Sequence, residues 1–181
     1  MKSKILLLLA TGLFACSLAL NAAEPPKFGD KAPDFTLKTL DGQSVTLSDL
    51  TASNKVVLIV LRGWPGYQCP ICERQVEDYI ASASKFDGAT ARVIMVYPGP
   101  ADALQAHAKE FLEMKGKVWP KDFIFVIDPD YTMVNTYNLR WDAPKETAYP
   151  STFVLDEKIS HTHGDRSLAS DTLGELAQVP D

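Results

Sequence analysis

The sequence predicts a single α/β domain with a mixed central sheet flanked by helices, and three features carry this prediction. Residues 55–61 (KVVLIVL) form an unbroken apolar run rich in β-branched side chains, as expected for a central strand covered on both faces. Strand-like and helix-like segments then alternate as far as residue 138. Two further strand-like segments, 152–155 and 158–163, close a pattern that is typical of three layers around a mixed sheet.

Composition limits the class of protein. The 181 residues include 18 basic and 23 acidic side chains, which gives a formal charge of −5, and 46% of the residues are apolar. These values are typical of a globular chain and exclude a disordered or collagen-like one. The length suits one domain. The acidic balance disfavours nucleic acid as a partner, because phosphate binding depends on clustered Lys and Arg.

The first 23 residues have the layout of a secretory signal peptide. Two lysines among the first four residues precede an apolar stretch, 5–20, and small residues end the segment at Ala22 and Ala23. The apolar stretch is shorter than the roughly 20 residues of a membrane-spanning helix. We therefore expect cleavage after Ala22 or Ala23, export to the periplasm, and a mature domain over residues 24–181.

Cys16 supports a second interpretation of the leader. The segment Leu13-Phe14-Ala15-Cys16 is similar to a bacterial lipobox, which would make a lipidated Cys16 the mature N-terminus. Phe14 fits that pattern poorly, and apolar residues continue past the cysteine, so cleavage of a signal peptide is preferred. A membrane contact is expected only if the leader is retained or Cys16 is lipidated.

The remaining elements follow from local patterns. Residues 24–33 are Pro-rich and predict an extended lead-in. An Asp41-Gly42 turn between strand-like segments at 35–37 and 44–47 predicts a β-hairpin, which would be an N-terminal extension of the domain. Periodicity predicts helices over about 70–86, 104–112, 130–138 and 170–178, and strands over 55–61, 92–97, 123–127, 152–155 and 158–163.

The cysteine pair Cys69 and Cys72 carries the chemistry. Removing the leader leaves these as the two cysteines of the domain, and a bridge between them would close too short a loop to add much stability. They lie directly after the central strand, where a helix is predicted to begin. Free N–H groups and the helix dipole stabilise a thiolate at such a position. A zinc site would need two further ligands, for which only three histidines are present.

The residues around this pair resemble a known family. VVLIVLRGWPGYQCPIC, the lead-in FGDKAPDFTLKTLDGQSVTLSDL, and the later segments DPDYTMVNTYNLRWDAP and YPSTFVLD are similar to the peroxiredoxin-like (AhpC/TSA, redoxin) branch of the thioredoxin superfamily. The resemblance covers residues 28–178. It implies a thioredoxin-like fold and a thiol peroxidase or disulfide reductase without a cofactor. Its substrate would be a hydroperoxide or a protein disulfide, and a thiol donor would supply the electrons.

The peroxiredoxin signature Pro-x-x-x-Thr-x-x-Cys places Pro65 and Cys72 at matching positions, with Cys69 where the family has Thr. On this resemblance Cys72 attacks the peroxide and becomes a sulfenic acid, and Cys69 condenses with it to a disulfide. A thioredoxin-like assignment reverses the order, because Cys69 would then be the more exposed, attacking cysteine and Cys72 would release the mixed disulfide.

The resemblance departs from the family at Pro150. Peroxiredoxins place an arginine before the late strand, whereas this chain has Tyr149-Pro150. TlpA-like thiol–disulfide oxidoreductases have a cis-proline there, so Pro150 is the candidate for a cis peptide bond. Arg62, and as a second candidate Arg140, would supply the missing positive charge near the thiolate.

Two weaker interpretations complete the set. His161 and His163 alternate along one predicted strand and, with the cysteines, suggest a copper site, but copper chaperones of this fold place their residues differently. We therefore expect no metal. A non-catalytic metal-binding or interaction module is the third hypothesis for function, after hydroperoxide reduction, which is preferred, and disulfide exchange.

Overall fold

The computed structural model describes residues 24–116, 118–156, 159–164 and 168–179. In this part of the chain seven strands form one mixed sheet. The predicted signal peptide, including Cys16, lies outside the described residues. Of the helices in the described segments, none has the length and hydropathy that a membrane crossing requires.

The order of elements agrees with the predicted alternation of strands and helices. The strands are β1 Thr36–Thr39, β2 Ser44–Thr46, β3 Lys55–Val60, β4 Ala91–Gly99, β5 Phe123–Pro129, β6 Ser151–Leu155 and β7 Ile159–Gly164. The helices are α1 Leu47–Thr51, α2 Pro70–Ala81, α3 Ala83–Gly88, α4 Leu104–Glu113, α5 Thr132–Thr136 and α6 Ala169–Leu176, with a 3₁₀ turn at Met114–Gly116.

The strands lie in the order β2-β1-β5-β4-β3-β6-β7. β3, β4 and β5 are parallel, while β6 pairs antiparallel with β3 and β7 pairs antiparallel with β6. The predicted hairpin is confirmed, since β1 and β2 are antiparallel and β1 joins the edge of β5. The mixed sheet of the sequence prediction is therefore present, and the hairpin extends it by two strands.

The two faces of the sheet form separate hydrophobic cores. Side chains alternate along β3, so that Val57, Ile59 and Leu61 face one core while Val56 and Leu58 face the other. The first core packs against α2, α3, α4 and α6, and it includes both cysteines. The second core packs against α1 and α5. The five residues named above, from Val56 to Leu61, are fully buried, which explains why the apolar run in the sequence is continuous.

Two helices are shorter than predicted. The helix expected over 70–86 ends at Ala81, because Ser82 has a ψ of 7° and the chain turns before α3 begins. The turn lets Phe86 stack on Tyr79 with ring centroids 5.4 Å apart. The helix expected over 130–138 is reduced to α5, since Asp130 and Tyr131 adopt positive φ angles that a right-handed helix excludes.

The cysteine loop leaves the sheet where the parallel strands end. The N–H of Leu61 donates to the carbonyl of Val96 at 2.9 Å, and the N–H of Trp64 donates to the carbonyl of Pro98 at 3.1 Å. Between them Gly63 has a φ of +73°, and a Cβ at this position would overlap the Pro98 carbonyl. The loop is thus held tightly against β4 before it reaches the cysteines.

A Gly63→Ala substitution should destabilise the fold strongly, by roughly 3 kcal/mol or more, because the new methyl group meets backbone atoms and the φ angle is unfavourable for Ala. Gly42→Ala is the matched control. Gly42 also has a positive φ, of +87°, but its Cβ would meet open space, so we expect a loss of only about 1 kcal/mol. Urea denaturation measures both, and equal losses would contradict the close packing at Gly63.

Candidate active site

The first turn of α2 places both cysteines at one end of the sheet. Cys69 is the N-cap of the helix, with extended backbone angles, and Pro70 follows as the first helical residue. Proline suits this position because its missing N–H would have no partner within the helix. The Sγ atom of Cys69 accepts a hydrogen bond from the backbone N–H of Cys72 at 3.4 Å. A sulfur therefore occupies the capping position that Ser or Asp oxygens usually take.

The second sulfur has its own backbone donor. Cys72 Sγ accepts a hydrogen bond from the backbone N–H of Arg62 at 3.4 Å, and Arg62 lies just after the end of β3. Both cysteines are free thiols and both are buried, with exposed fractions of 5% for Cys69 and 2% for Cys72. Cys69 is thus only slightly the more exposed of the two.

Mutual hydrogen bonding makes the two thiols different acids. The hydrogen bond from the Cys72 thiol, helped by the N–H groups of Cys72 and Ile71 and by the charge of Arg62, lowers the pKa of Cys69 to about 6, although burial opposes the shift. The same hydrogen bond, with burial and the nearby Cys69 charge, raises the pKa of Cys72 far above its usual range. The two thiols are therefore unequal, with Cys69 the stronger acid and Cys72 the weaker.

Arg62 lies beside the pair, and its positive charge favours the thiolate form of both cysteines. Its guanidinium forms an ion pair with Glu146, in which Nε donates to Oε2 at 2.9 Å and Nη2 contacts the same oxygen. The guanidinium carbon also lies 5.4 Å from the ring centroid of Tyr67 and 5.3 Å from that of Trp141. Arg62 is thus held on three sides.

Pro150 does not have the predicted cis peptide bond, because all peptide bonds of the described residues are trans. The trans form is the lower in energy for X-Pro as well, so a cis bond requires a tertiary constraint. Here the N–H of Tyr149 donates to the carbonyl of Leu139 at 2.9 Å, and Ser151 pairs with Val60 of β3. Pro150 is half-buried and joins these two pairings next to the end of β3.

Pro65 and Arg140 are the other two site candidates from the sequence. Pro65 is buried in the loop between β3 and α2, four residues before Cys69. Arg140 Nη1 donates to backbone carbonyls of its own segment, and its guanidinium carbon lies 4.0 Å from the ring centroid of Tyr131. The side chains of His161 and His163 lie outside the described residues, so the suggested copper site remains a sequence interpretation.

Sequence reasoning missed the side chains that hold the cysteine loop from other elements. Gln68 accepts a hydrogen bond from the Tyr97 hydroxyl at 2.8 Å and donates to the carbonyl of His107 at 2.9 Å. Burial raises the pKa of Tyr97. Glu146 was missed in the same way. These partners are 29 to 84 residues apart in sequence, so no local pattern reveals them.

Comparison with known proteins gives a family match over most of the chain. The model of the AhpC/TSA family matches residues 28–161. A Mycobacterium tuberculosis protein named as a peroxiredoxin is 27% identical over 134 residues, which is 71% of this chain and 78% of that protein. A Helicobacter pylori protein named as a peroxiredoxin, bcp, is 32% identical over 114 residues, or 63% of this chain and 67% of that protein.

Solved structures with the same fold include both peroxiredoxins and disulfide-exchange proteins. Peroxidoxin BcpB from Mycobacterium tuberculosis has a TM-score of 0.67 and 20% identity, covering 86% of this chain and 99% of that one. A Chlorobium tepidum protein described as thiol:disulfide interchange protein DsbE has a TM-score of 0.62 and 24% identity, covering 84% and 96%. The fold is therefore thioredoxin-like. The match to the AhpC/TSA family and to the relatives named as peroxiredoxins identifies the protein as an oxidoreductase.

The acid–base difference between the thiols predicts a specific pH profile of alkylation. In the reduced protein the rate of Cys69 modification by iodoacetamide should rise through about pH 6 and level off near neutrality. Cys72→Ala removes the hydrogen-bond donor, so its profile should move to higher pH, whereas Cys72→Ser keeps a hydroxyl donor and should move less. Peptide mass spectrometry assigns the modified cysteine. Preferential alkylation of Cys72 in the unmutated protein would contradict this account.

Proposed function

The chain belongs to the AhpC/TSA family, and we propose that it reduces hydroperoxides through the Cys69–Cys72 pair, with Cys69 as the nucleophile. One observation carries the proposal. The Cys69 sulfur caps the first turn of α2 and accepts hydrogen bonds from the thiol and the N–H of Cys72. A thiolate at neutral pH is therefore in contact with a thiol that remains protonated, and both are needed for a complete turnover.

The proposed reaction has two steps. In the first, the Cys69 thiolate attacks the terminal oxygen of ROOH, the O–O bond breaks, and RO⁻ takes a proton from the Cys72 thiol to leave as ROH. In the second, the Cys72 thiolate attacks the sulfur of the Cys69 sulfenic acid and releases hydroxide. The sum is thiolate, thiol and ROOH giving disulfide, ROH and hydroxide. An external dithiol then reduces the disulfide and is itself oxidised.

Burial favours a small substrate. A cysteine that is 5% exposed admits the two oxygen atoms of a peroxide more readily than the disulfide of a folded protein. This burial supports hydroperoxide reduction over disulfide exchange with protein substrates.

The proposed order of attack differs from the one that the family signature implies. By spacing from Pro65, Cys72 takes the peroxidatic position. The hydrogen bond with the Cys69 side chain, followed by burial, raises the pKa of Cys72, so Cys72 suits the resolving role. The positive charge of Arg62 favours the Cys69 thiolate. Arg62 would thus take the role of the arginine that peroxiredoxins place before the strand corresponding to β6.

A thiol–disulfide oxidoreductase is the second candidate function. The observation that favours it is the Cys69-Pro70-Ile71-Cys72 pair itself, in which a low-pKa first cysteine and a protonated second cysteine are also suited to disulfide exchange. In that reaction the Cys69 thiolate would attack a substrate disulfide, and Cys72 would then release the substrate as a thiol. Both functions use the cysteines in the same order.

Export is a proposal that rests on residues 1–23 alone. The basic start, the apolar stretch and the small residues at Ala22 and Ala23 support a cleaved signal peptide and a periplasmic domain over residues 24–181. A periplasmic location also suits a protein whose working form alternates between a dithiol and a disulfide. Lipidation at Cys16 is the competing form of processing.

Single cysteine variants test the proposed order. In a single turnover of the reduced protein with hydrogen peroxide and no added thiol, Cys69→Ser should consume no peroxide, because the nucleophile is gone. Cys72→Ser should consume about one equivalent and stop with a sulfenic acid on Cys69, since neither a second cysteine nor an external thiol is present to resolve it. Peroxide consumption and mass spectrometry of the trapped acid measure both results. The reverse pattern would restore the order implied by the family signature, and peroxide rates like those of free cysteine would leave disulfide exchange.

Expression of the full chain in a Gram-negative bacterium tests export. We expect the protein in the periplasmic fraction, with a mature N-terminus at Ala23 or Glu24, because cleavage should follow Ala22 or Ala23. Intact-mass analysis distinguishes this form from a lipid-modified one that begins at Cys16. A Cys16→Ser variant should be processed normally; failure of its processing would instead support the lipoprotein interpretation.

A further inference from the structure

We propose that Arg140 is a positioning residue, which folds the segment 141–147 into a clamp that holds Arg62 against the cysteine pair. The clamp is defined here as Glu146 and Thr147, which both form hydrogen bonds with Arg62. The inference rests on the proposed use of Cys69 as the thiolate and adds the part of the structure that keeps Arg62 in place.

The clamp grips Arg62 through both its side chain and its backbone. Glu146 pairs with the guanidinium, and the side chains of both partners are only about one-fifth exposed. The hydroxyl of Thr147, which is buried, donates to the backbone carbonyl of Arg62. On its other side the N–H of Arg62 donates to Cys72 Sγ. Arg62 is therefore the direct link between the clamp and a reactive sulfur.

Arg140 holds the clamp in shape from behind. Its Nη1 donates to the carbonyls of Trp141, Glu146 and Thr147 at 2.6, 3.0 and 2.5 Å. These are carbonyls at the two ends of the segment, so one side chain closes the loop on itself. A backbone bridge between Arg140 and Ala148 closes the same loop.

Backbone strain shows that the segment needs such support. Lys145, directly before Glu146, has a φ of +62°, which is unfavourable for a residue with a side chain. The three hydrogen bonds from Arg140 offset this cost. The guanidinium carbon of Arg140 lies 4.0 Å from the ring centroid of Tyr131, the residue that precedes α5. The clamp thus connects α5 to the cysteine pair through Arg140 and Arg62.

Other charges around the sulfurs do not replace this arrangement. Cys72 and the buried Glu73 lie on α2, Tyr97 lies on β4, and Glu146 approaches from the clamp. Arg62 is the cation among the described residues whose charge acts on both cysteines. A displacement of Arg62 should therefore make Cys69 a weaker acid, even when no residue in contact with a sulfur has changed.

A double-mutant cycle tests the proposal by the rate of Cys69 alkylation at pH 6 in the reduced, full mature domain. Arg140→Ala and Arg62→Ala should each slow alkylation by roughly threefold, because each loses the fixed positive charge. The double variant should be no slower than Arg62→Ala alone. If the two effects multiply, or if Arg140→Ala alkylates at the unmutated rate, the proposal is wrong.

Two further variants separate positioning from charge and from general destabilisation. Arg140→Lys keeps the positive charge, but its side chain is one bond shorter, so its ammonium falls short of the three carbonyls that Nη1 contacts. It should therefore be as slow as Arg140→Ala; recovery of the unmutated rate would overturn the proposal and would also answer the case in which Arg140→Ala does not fold. Arg92→Ala, which breaks the ion pair with Asp122 at the far end of β4, is the matched arginine control and should leave the rate unchanged. Alkylation does not depend on peroxide turnover, so the result stands apart from that of the proposed function.

Discussion

The hydrogen bond between the two thiols in the first turn of α2 is the interaction on which the site depends. A donor to the Cys69 sulfur stabilises its thiolate, and the same contact keeps the Cys72 proton in place. Two chemically identical side chains thereby differ in acidity, as the proposed roles of nucleophile and proton donor require. A three-residue spacing at a helix N-terminus suffices for this, provided that both sulfurs are shielded from water, and here both are.

The rest of the fold keeps this pair in position. The buried β3 strand brings the chain to the edge of the sheet, and Gly63 allows the loop to pass close to Pro98 before the helix begins. Gln68 ties the loop to β4 and α4 from one side. Arg62 ties it to the segment 140–148 from the other. The reactive pair is therefore supported by contacts between distant parts of the chain rather than by its own helix alone.

Much of the fold could be predicted from the sequence, whereas the distribution of roles within the site could not. The apolar run 55–61 and the Asp41-Gly42 turn are local patterns, and the structure confirms the strand and the hairpin they predict. The position of the cysteines also follows from the local order of strand, loop and helix. Pro150 lies between Tyr149, which bonds to Leu139, and Ser151, which pairs with Val60; its peptide bond is trans, so the predicted cis bond was wrong.

The acid–base order of the cysteines depends on which sulfur receives the hydrogen bond, and no spacing rule contains that information. Its most direct test is an NMR titration of the Cβ carbons of both cysteines in the reduced protein, labelled with ¹³C at cysteine. The account predicts that the Cys69 signal titrates near pH 6 while the Cys72 signal stays in its thiol position throughout the titration up to mildly alkaline pH. A Cys72 signal that titrates first would contradict it.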